Sequence, residues 1–290
     1  GFHIAALASD DDVVAELRKR KHRPQKPFAI MALDLEVVSK IARPRERHVE
    51  LLCSPQRPIV LVPKREDAPV SELVAPGLAE IGVMLPYTPL HYLLLMETRD
   101  KFLIMTSGNR RGLPICTGVE ALEELKGIAD YFLLHNREIV NRVDDSVVRL
   151  TDGIPQLLRR ARGYAPRWIR VPFKLEREVI ALGAHLSNAG AVAFEDRVIP
   201  TQYVGDMDYL ENVEFLLSAL KFLEECYKLS AKAIASDAHP GYVTTRLAAS
   251  MASQLGVPHI RAQHHHAHIV SAMASVGIQA DEEVLGVAID

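Results

Sequence analysis

The stretch Val257-Pro258-His259-Ile260-Arg261-Ala262-Gln263-His264-His265-His266-Ala267-His268-Ile269-Val270-Ser271-Ala272-Met273 decides the fold class. Val257 to Ala262 is strand-like, and the apolar run after His268 continues a buried helix. A strand turning into a helix is the unit of an open α/β sheet, and ligands gather at that turn. His264 and His268 are four apart, so on a helix both rings leave one face. Two neutral imidazoles at this spacing make half of a metal site. A solvated, His-rich surface tract is the other reading, and the nearby His259 fits it. A metalloprotease motif is a poorer match, because His265 stands where that motif needs a Glu as general base.

The segments upstream extend the same pattern. Val179–Leu182, Ala189–Phe194 and Arg197–Pro200 read as short strands separated by turns. A long amphipathic helix follows at about 209–229, with Leu210, Val213, Leu216, Leu217, Leu220, Leu223 and Tyr227 as its core stripe. Lys232–Ser236 is the next strand, running into Asp237-Ala238-His239-Pro240. Val284–Ile289 is expected to be the last strand and ends in Asp290. A carboxylate at the carboxyl end of a buried strand faces the ligand crevice of an α/β sheet; a turn or cap Asp is the alternative.

Ahead of these lies a second α/β region. Ser9 and the Asp run cap a helix over Asp10–Lys21, whose last turn is crowded with Lys and Arg. Phe28–Leu33, Pro58–Val62, Ile81–Leu85, Phe102–Met105, Tyr131–Leu134 and Val147–Leu150 read as strands. Leu90–Glu97 and Val119–Ala129 read as helices. Pro166, Pro172 and the charged run at 174–178 mark a linker.

The chain has 290 residues, enough for two cores, and its 48% hydrophobic and 24% charged composition is that of a globular protein. No apolar run reaches membrane-spanning length, and no signal peptide opens the chain. Cys53, Cys116 and Cys226 form no CxxC pair, which fits small buried apolar residues in a reducing cytoplasm. Charge is uneven: residues 1–174 carry 27 Lys and Arg against 22 Asp and Glu, and residues 175–290 carry 7 against 15. A basic first part suits a polyanion such as a nucleotide or RNA; the acidic second part argues against a continuous nucleic-acid surface.

Three polar clusters populate the basic part. Lys19 to Pro27 contains Lys21 and Arg23, held by Pro24 and Pro27; a guanidinium fork and an ammonium point charge suit phosphate. A solvated helix end is the plain alternative. Thr106-Ser107-Gly108-Asn109 follows a strand and offers hydroxyls, an amide and a turn that can wrap a phosphate or carboxylate. Arg142-Val143-Asp144-Asp145-Ser146, with Arg159 to Tyr164, adds cations and a hydroxyl. Together they point to nucleotide binding.

In this order the clusters resemble the YrdC-type domain, which makes acyl-adenylates from carbonate-derived substrates. Lys21-x-Arg23 and Ser107-x-Asn109 match that family's Lys-x-Arg and Ser-x-Asn pairs. Asp144-Asp145-Ser146-Val147, the run 159–166, Gly1-Phe2-His3 and Leu85–His91 resemble one branch, the HypF family of hydrogenase-maturation carbamoyltransferases. Gln263–His268, Tyr203-Val204-Gly205-Asp206 and Asp237–Tyr242 also look like that family. The second domain is similar to the tRNA threonylcarbamoyl-transferring ATPases.

The resemblance implies an α/β protein: a YrdC-like twisted mixed sheet with helices over 1–170, a linker over 171–178, and the first half of an actin-like, ribonuclease H-type ATPase domain over 179–290. It implies a chain truncated at both ends, since the family carries an acylphosphatase domain and zinc fingers upstream; such a fragment is expected to be inactive alone. Ser187 stands where relatives are expected to have Lys. The implied activity is an ATP-dependent carbamoyl transfer. Carbamate from carbamoyl phosphate would attack the α-phosphate of ATP, with Mg²⁺ on the pyrophosphate, to form carbamoyl-adenylate. Lys21, Arg23, Ser107 and Asn109 would carry that step, with Thr106, Arg142, Asp145, Ser146 and Arg162 binding the nucleotide. His264, His268 and Asp290 would hold a transition metal, iron or zinc. The acceptor would be the C-terminal cysteine of a partner protein, HypE, for cyanide-ligand synthesis. A cytoplasmic location is implied, with neither membrane nor nucleic acid as partner.

Other readings predict different observations. An antibiotic O-carbamoyltransferase resembles the same pair of domains and lacks the upstream CxxC pairs. A threonylcarbamoyl-adenylate synthase is not fused to this kind of second domain. A non-catalytic module binding RNA, double-stranded RNA included, explains the basic first part but not the His–Asp set; it would retain RNA salt-dependently without ATP turnover.

Overall fold

The computed structural model describes residues 1–289. They form two compact units, one of residues 1–111 and 115–164, the other of residues 112–114 and 165 onward.

The first unit runs β1 (His3–Ala6), α1 (Asp11–Arg20), β2 (Ala29–Ala32), α2 (Leu35–Ile41), α3 (Glu46–Cys53), β3 (Ile59–Pro63), β4 (Glu80–Met84), α4 (Pro89–Glu97), β5 (Phe102–Ser107), α5 (Ala121–Glu124), β6 (Val147–Thr151) and β7 (Ile154–Arg159). Its seven strands make one mixed sheet in the order β1-β5-β2-β4-β3-β6-β7. Alternation along the central strands sends side chains to two apolar layers. Ile30, Ile81, Val83, Phe102 and Ile104 meet Val14 and Leu17 of α1, Val38 and Ile41 of α2 and Leu52 of α3. Met31, Met84, Leu103 and Met105 meet Leu95 of α4 on the other face. With both faces covered, these strands have no polar positions to alternate, which is why they read as continuous apolar runs.

Helix α1 sets up the site. Asp10 caps it by accepting from the amides of Asp12 and Val13, Asp11 and Asp12 fill its first turn, and Arg18, Lys19 and Arg20 its last, all favourable to the helix dipole. The chain leaves through His22 in the left-handed region (φ 49°). Lys21 and Arg23 therefore sit at a sharply defined exit.

The second unit contains β8 (Ile169–Arg170), β9 (Val179–Ala181), β10 (Ala191–Phe194), β11 (Arg197–Pro200), α6 (Leu210–Tyr227), β12 (Ala233–Asp237), α7 (Val243–Leu255), β13 (His259–Ala262) and α8 (His264–Ser275). Its sheet has the order β13-β12-β9-β10-β11-β8. β9, β10, β11 and β8 pair antiparallel in turn, while β9, β12 and β13 are parallel. Leu216, Leu220 and Leu223 of α6 and Ala248 and Ala252 of α7 pack on Ile180, Val192, Ile199 and Ile234. Leu210 is an exception to the expected stripe and is exposed at the helix start.

Several expectations are corrected. Ile169–Arg170 pairs with β11, so these residues belong to the second sheet rather than to a first domain over 1–170. Within the presumed linker, Val171 and Leu175 donate backbone hydrogen bonds to Asp196 and Glu195. Val119–Ala129 holds one helical turn, Ala121–Glu124, and 131–134 is irregular. Residues 284–289 are not a strand; Leu285 and Ile289 are exposed, and no neighbouring strand pairs with them among the described residues. Of the cysteines only Cys116 is buried; Cys53 and Cys226 face solvent near the ends of α3 and α6.

Candidate functional site

In the first unit, residues far apart in sequence converge at the carboxyl end of β5. The Lys21 ammonium donates to the Ser107 carbonyl (2.8 Å), the Asn109 carbonyl (3.0 Å) and Asn109 Oδ1 (3.3 Å). Ser107 Oγ donates to the same Oδ1 (2.8 Å). Arg23 Nη1 lies 3.5 Å from Thr106 Oγ1, and its guanidinium rests 4.9 Å over the Phe28 ring. Burial, followed by the neighbouring Arg23, lowers the Lys21 pKa to about 8. Burial, followed by Arg159 and Arg18, lowers that of Arg23 to about 10. Two buried cations held this close repel each other, and a bound anion would offset both the burial and the repulsion.

Gly108 makes the turn possible. Its amide donates to the Phe2 carbonyl at 2.7 Å, and a Cβ there would lie 2.7 Å from that same oxygen. Only glycine allows β1 and the 107–109 turn to approach this closely.

Asp145, Ser146 and Arg162 form a second cluster, turned inward. Asp145 is buried at 7% exposure. Its Oδ1 accepts from Arg162 Nε (3.0 Å) and Nη2 (2.8 Å) and from the Tyr87 hydroxyl (3.2 Å); its Oδ2 faces His3 Nε2 at 3.0 Å. Burial works against the charge of Asp145, but His3 and Arg162 outweigh it and hold the carboxyl well below the usual range. Arg162 also donates to the carbonyls of Gln56 (2.9 Å) and Arg57 (2.8 Å) and stacks 3.5 Å over the Tyr87 ring. Ser146 Oγ accepts from Ala161 N and donates to Arg162 O. These three residues lock the segment 159–164 to the sheet. Arg142 lies near the Gly1 amino group, Cys116 and Glu120, whose titration it shifts.

His3, Tyr87 and His91 were not among the expected site residues. Tyr87 and His91 meet edge-to-face at 4.5 Å, and His3 stacks on His91 at 5.9 Å. Burial and the adjacent His3 lower the His91 pKa to about 4. The signal for His3 was alternation on β1, visible only once its partner strand is known. A shallow cavity of about 640 Å³ opens beyond Tyr87, lined by Pro55, Arg57, Pro86, Thr88, Tyr92 and Leu93. It is not lined by Lys21, Arg23, Ser107 or Asn109; the hydrogen bonds, not that cavity, join those four.

In the second unit the parallel register pairs Asp237 with Ala262, two residues before α8. His264 Nδ1 lies 2.7 Å from Asp237 Oδ2, and His264 Nε2 lies 3.2 Å from His268 Nε2. Two nitrogens each about 2.0–2.1 Å from one tetrahedral ion stand roughly 3.3 Å apart, so the pair fits a shared metal. The carboxylate on the other nitrogen of His264 is the usual outer partner of a ligating histidine. Among the described residues no group of three or more His, Cys, Asp or Glu is placed to share an ion, and Asp290 lies outside the described residues. Asp237 was read as part of the run 237–242 and not as a site residue, although it too ends a buried strand. Ser187, in the left-handed region (φ 46°), donates its amide to Asp206 Oδ1 at 2.7 Å.

Comparison with known proteins agrees with this organisation. Residues 1–161 match the Sua5/YciO/YrdC family, described as "Telomere recombination", and residues 174–275 match the HypF Kae1-like domain. The chain is 41% identical to the carbamoyltransferase HypF of Synechocystis sp. over all of its length, spanning 37% of that protein. It is similar to the crystal structure of a full-length HypF in a phosphate- and nucleotide-bound form (TM-score 0.93, 41% identity, 100% of this chain and 45% of that one). It is also similar to the crystal structure of HypF of T. kodakarensis (TM-score 0.90, 46% identity, 94% of this chain and 36% of that one). With both domain types present in this order, the chain belongs to the HypF carbamoyltransferase family and consists of a YrdC-like domain followed by a Kae1-like domain.

Proposed function

We propose that the first unit forms carbamoyl-adenylate from ATP and carbamate derived from carbamoyl phosphate, as one step of an ATP-dependent carbamoyl transfer. The observation that carries this is the Lys21–Ser107–Asn109 junction beside Arg23: two motifs 86 to 88 residues apart meet at one point. The solved relative that holds phosphate and nucleotide supports it.

A carbamate oxygen attacks the α-phosphorus of ATP, a P–O bond forms, and the bond to pyrophosphate breaks. Charge develops on the phosphoryl oxygens, and Lys21 and Arg23 stabilise it without reorganising, because the turn and Phe28 already hold them. Lys21 acts largely through its field, since its donors are engaged with the turn. Ser107 and Asn109 orient the acyl end. ATP is taken with its accompanying Mg²⁺ as substrate. In the second unit, His264 and His268 would hold a transition metal, iron or zinc, with Asp237 orienting His264; bound there it supplies a Lewis acid. The acceptor is a cysteine thiolate of a partner protein, HypE in hydrogenase maturation, and the site of action is the cytoplasm. No helix among the described residues is long and apolar enough to cross a membrane.

The test supplies carbamate directly in ammonium bicarbonate and follows labelled pyrophosphate into ATP. Exchange is expected in the intact parent enzyme and lost in its Lys21→Ala and Arg23→Ala variants. Undiminished exchange in both variants contradicts the assignment.

A further inference from the structure

Antiparallel pairing sets His3 directly opposite Ser107, so the imidazole and the hydroxyl stand on one face of the sheet as neighbours. Ser107 Oγ and Asn109 Oδ1 are joined at 2.8 Å, which places His3 beside the pair assigned above to the acyl end. His3 Nε2 lies 3.0 Å from Asp145 Oδ2. That carboxylate is ionised and can only accept, so in the neutral form of the ring Nε2 carries the hydrogen and Nδ1 presents a lone pair. Nδ1 makes no hydrogen bond to the protein among the described residues. The ring is held rather than free: it stacks on His91 and meets Tyr87 edge-on.

We infer that His3 is the specificity residue for the acyl group: its Nδ1 accepts a hydrogen bond from the N–H of a carbamoyl moiety, with Asp145 fixing the tautomer that makes this possible. The inference rests on the adenylate reading above and deepens it. A site with a fixed acceptor favours acyl groups that end in N–H and disfavours isosteres that end in a methyl, whose approach leaves the lone pair unsatisfied. Asp145 and Arg162 gain a second purpose: they aim His3.

The test compares two non-reactive adenylate analogues, 5′-O-(N-carbamoylsulfamoyl)adenosine and 5′-O-(N-acetylsulfamoyl)adenosine, which differ by NH₂ against CH₃. Calorimetry with the full chain is expected to show the carbamoyl analogue binding about three- to tenfold more tightly, the value of one net hydrogen bond. His3→Ala abolishes the preference while AMP affinity is unchanged. Asp145→Asn abolishes it as well. Arg162 and Tyr87 keep a carbonyl oxygen at the Oδ1 position, so the amide NH₂ faces Nε2 and drives the hydrogen to Nδ1. A long-range ¹H–¹⁵N spectrum reports that tautomer directly, which a purely structural role for Asp145 would not change. Equal affinities in the wild type, or a preference that survives His3→Ala, overturn the inference and leave the adenylate reading standing. Failure of AMP and both analogues to bind at all overturns both.

Discussion

Removing the Asp145 carboxylate should be the most damaging single change in the first unit. Asp145→Ala deletes an acceptor that serves Arg162 twice, Tyr87 once and His3 once, all at 3.2 Å or less. The Arg162 side chain, only 20% exposed, is left with an uncompensated charge. Breaking a buried pair in this way costs about 3–5 kcal/mol. For a unit of this size that corresponds to a loss of roughly 6–20 °C in Tm. Asp145→Asn keeps an acceptor for Arg162 and Tyr87 but loses the charge, so its cost is about 1.5–3 kcal/mol. Acid adds a second reading. The folded pKa is depressed, so the carboxylate's contribution is complete above the ordinary carboxylate range near pH 4 and is lost as pH falls through the folded value. The wild type therefore has an acid limb that Asp145→Asn largely lacks. Urea unfolding of the three proteins at pH 7, and of the wild type and Asp145→Asn from pH 5 down to about pH 2, measures both. A cost below about 1 kcal/mol for Asp145→Ala, or parallel acid limbs in wild type and Asp145→Asn, would refute the reasoning.

Other expectations follow from the same geometry. Lys21 titrates near pH 8 in the free protein because it is buried beside Arg23, and bound phosphate restores its charge. ATP binding near pH 8–9 should then take up protons, detectable as a buffer-dependent heat; proton release would have the wrong sign. Gly108→Ala forces a Cβ to 2.7 Å from the Phe2 carbonyl and should cost about 1–3 kcal/mol and weaken ATP binding. Unchanged Tm and affinity would show that the turn is slack. His264→Ala and His268→Ala should each lose bound metal on elemental analysis, and Asp237→Asn should weaken metal affinity by about 10–100-fold. Equal metal content in all four proteins removes the metal assignment.

Much of the fold was legible because central strands buried on both faces are continuous apolar runs, as in Ala29–Ala32 and Phe102–Ser107. The capped helix α1 was legible for local reasons, from its acidic start and basic end. Strands defined by their neighbours were not: Val284–Ile289 has the composition of a strand but pairs with no strand among the described residues, and Ile154–Arg159 is a strand although its side chains are largely exposed. At the site, Lys21, Arg23, Ser107 and Asn109 could be picked out because they occur as close pairs in sequence. His3 could not, since its chemistry comes from a register with Ser107 and a carboxylate 142 residues away. Asp145, Ser146 and Arg162 were picked out as one cluster, but that they bond to one another and to the segment 159–164 depends on packing that spacing does not encode.

The most direct measurement is the affinity of the chain for ATP before and after Arg23→Ala and Lys21→Ala. Each removes a charge from the point where the two motifs meet, and charged contacts of this kind are worth about 1.5–3 kcal/mol, or roughly 10–100-fold in Kd. Losses of that size in both variants, with the Tm of Arg23→Ala close to that of the wild type, are the predicted result. Wild-type affinity in both would mean that the nucleotide binds elsewhere.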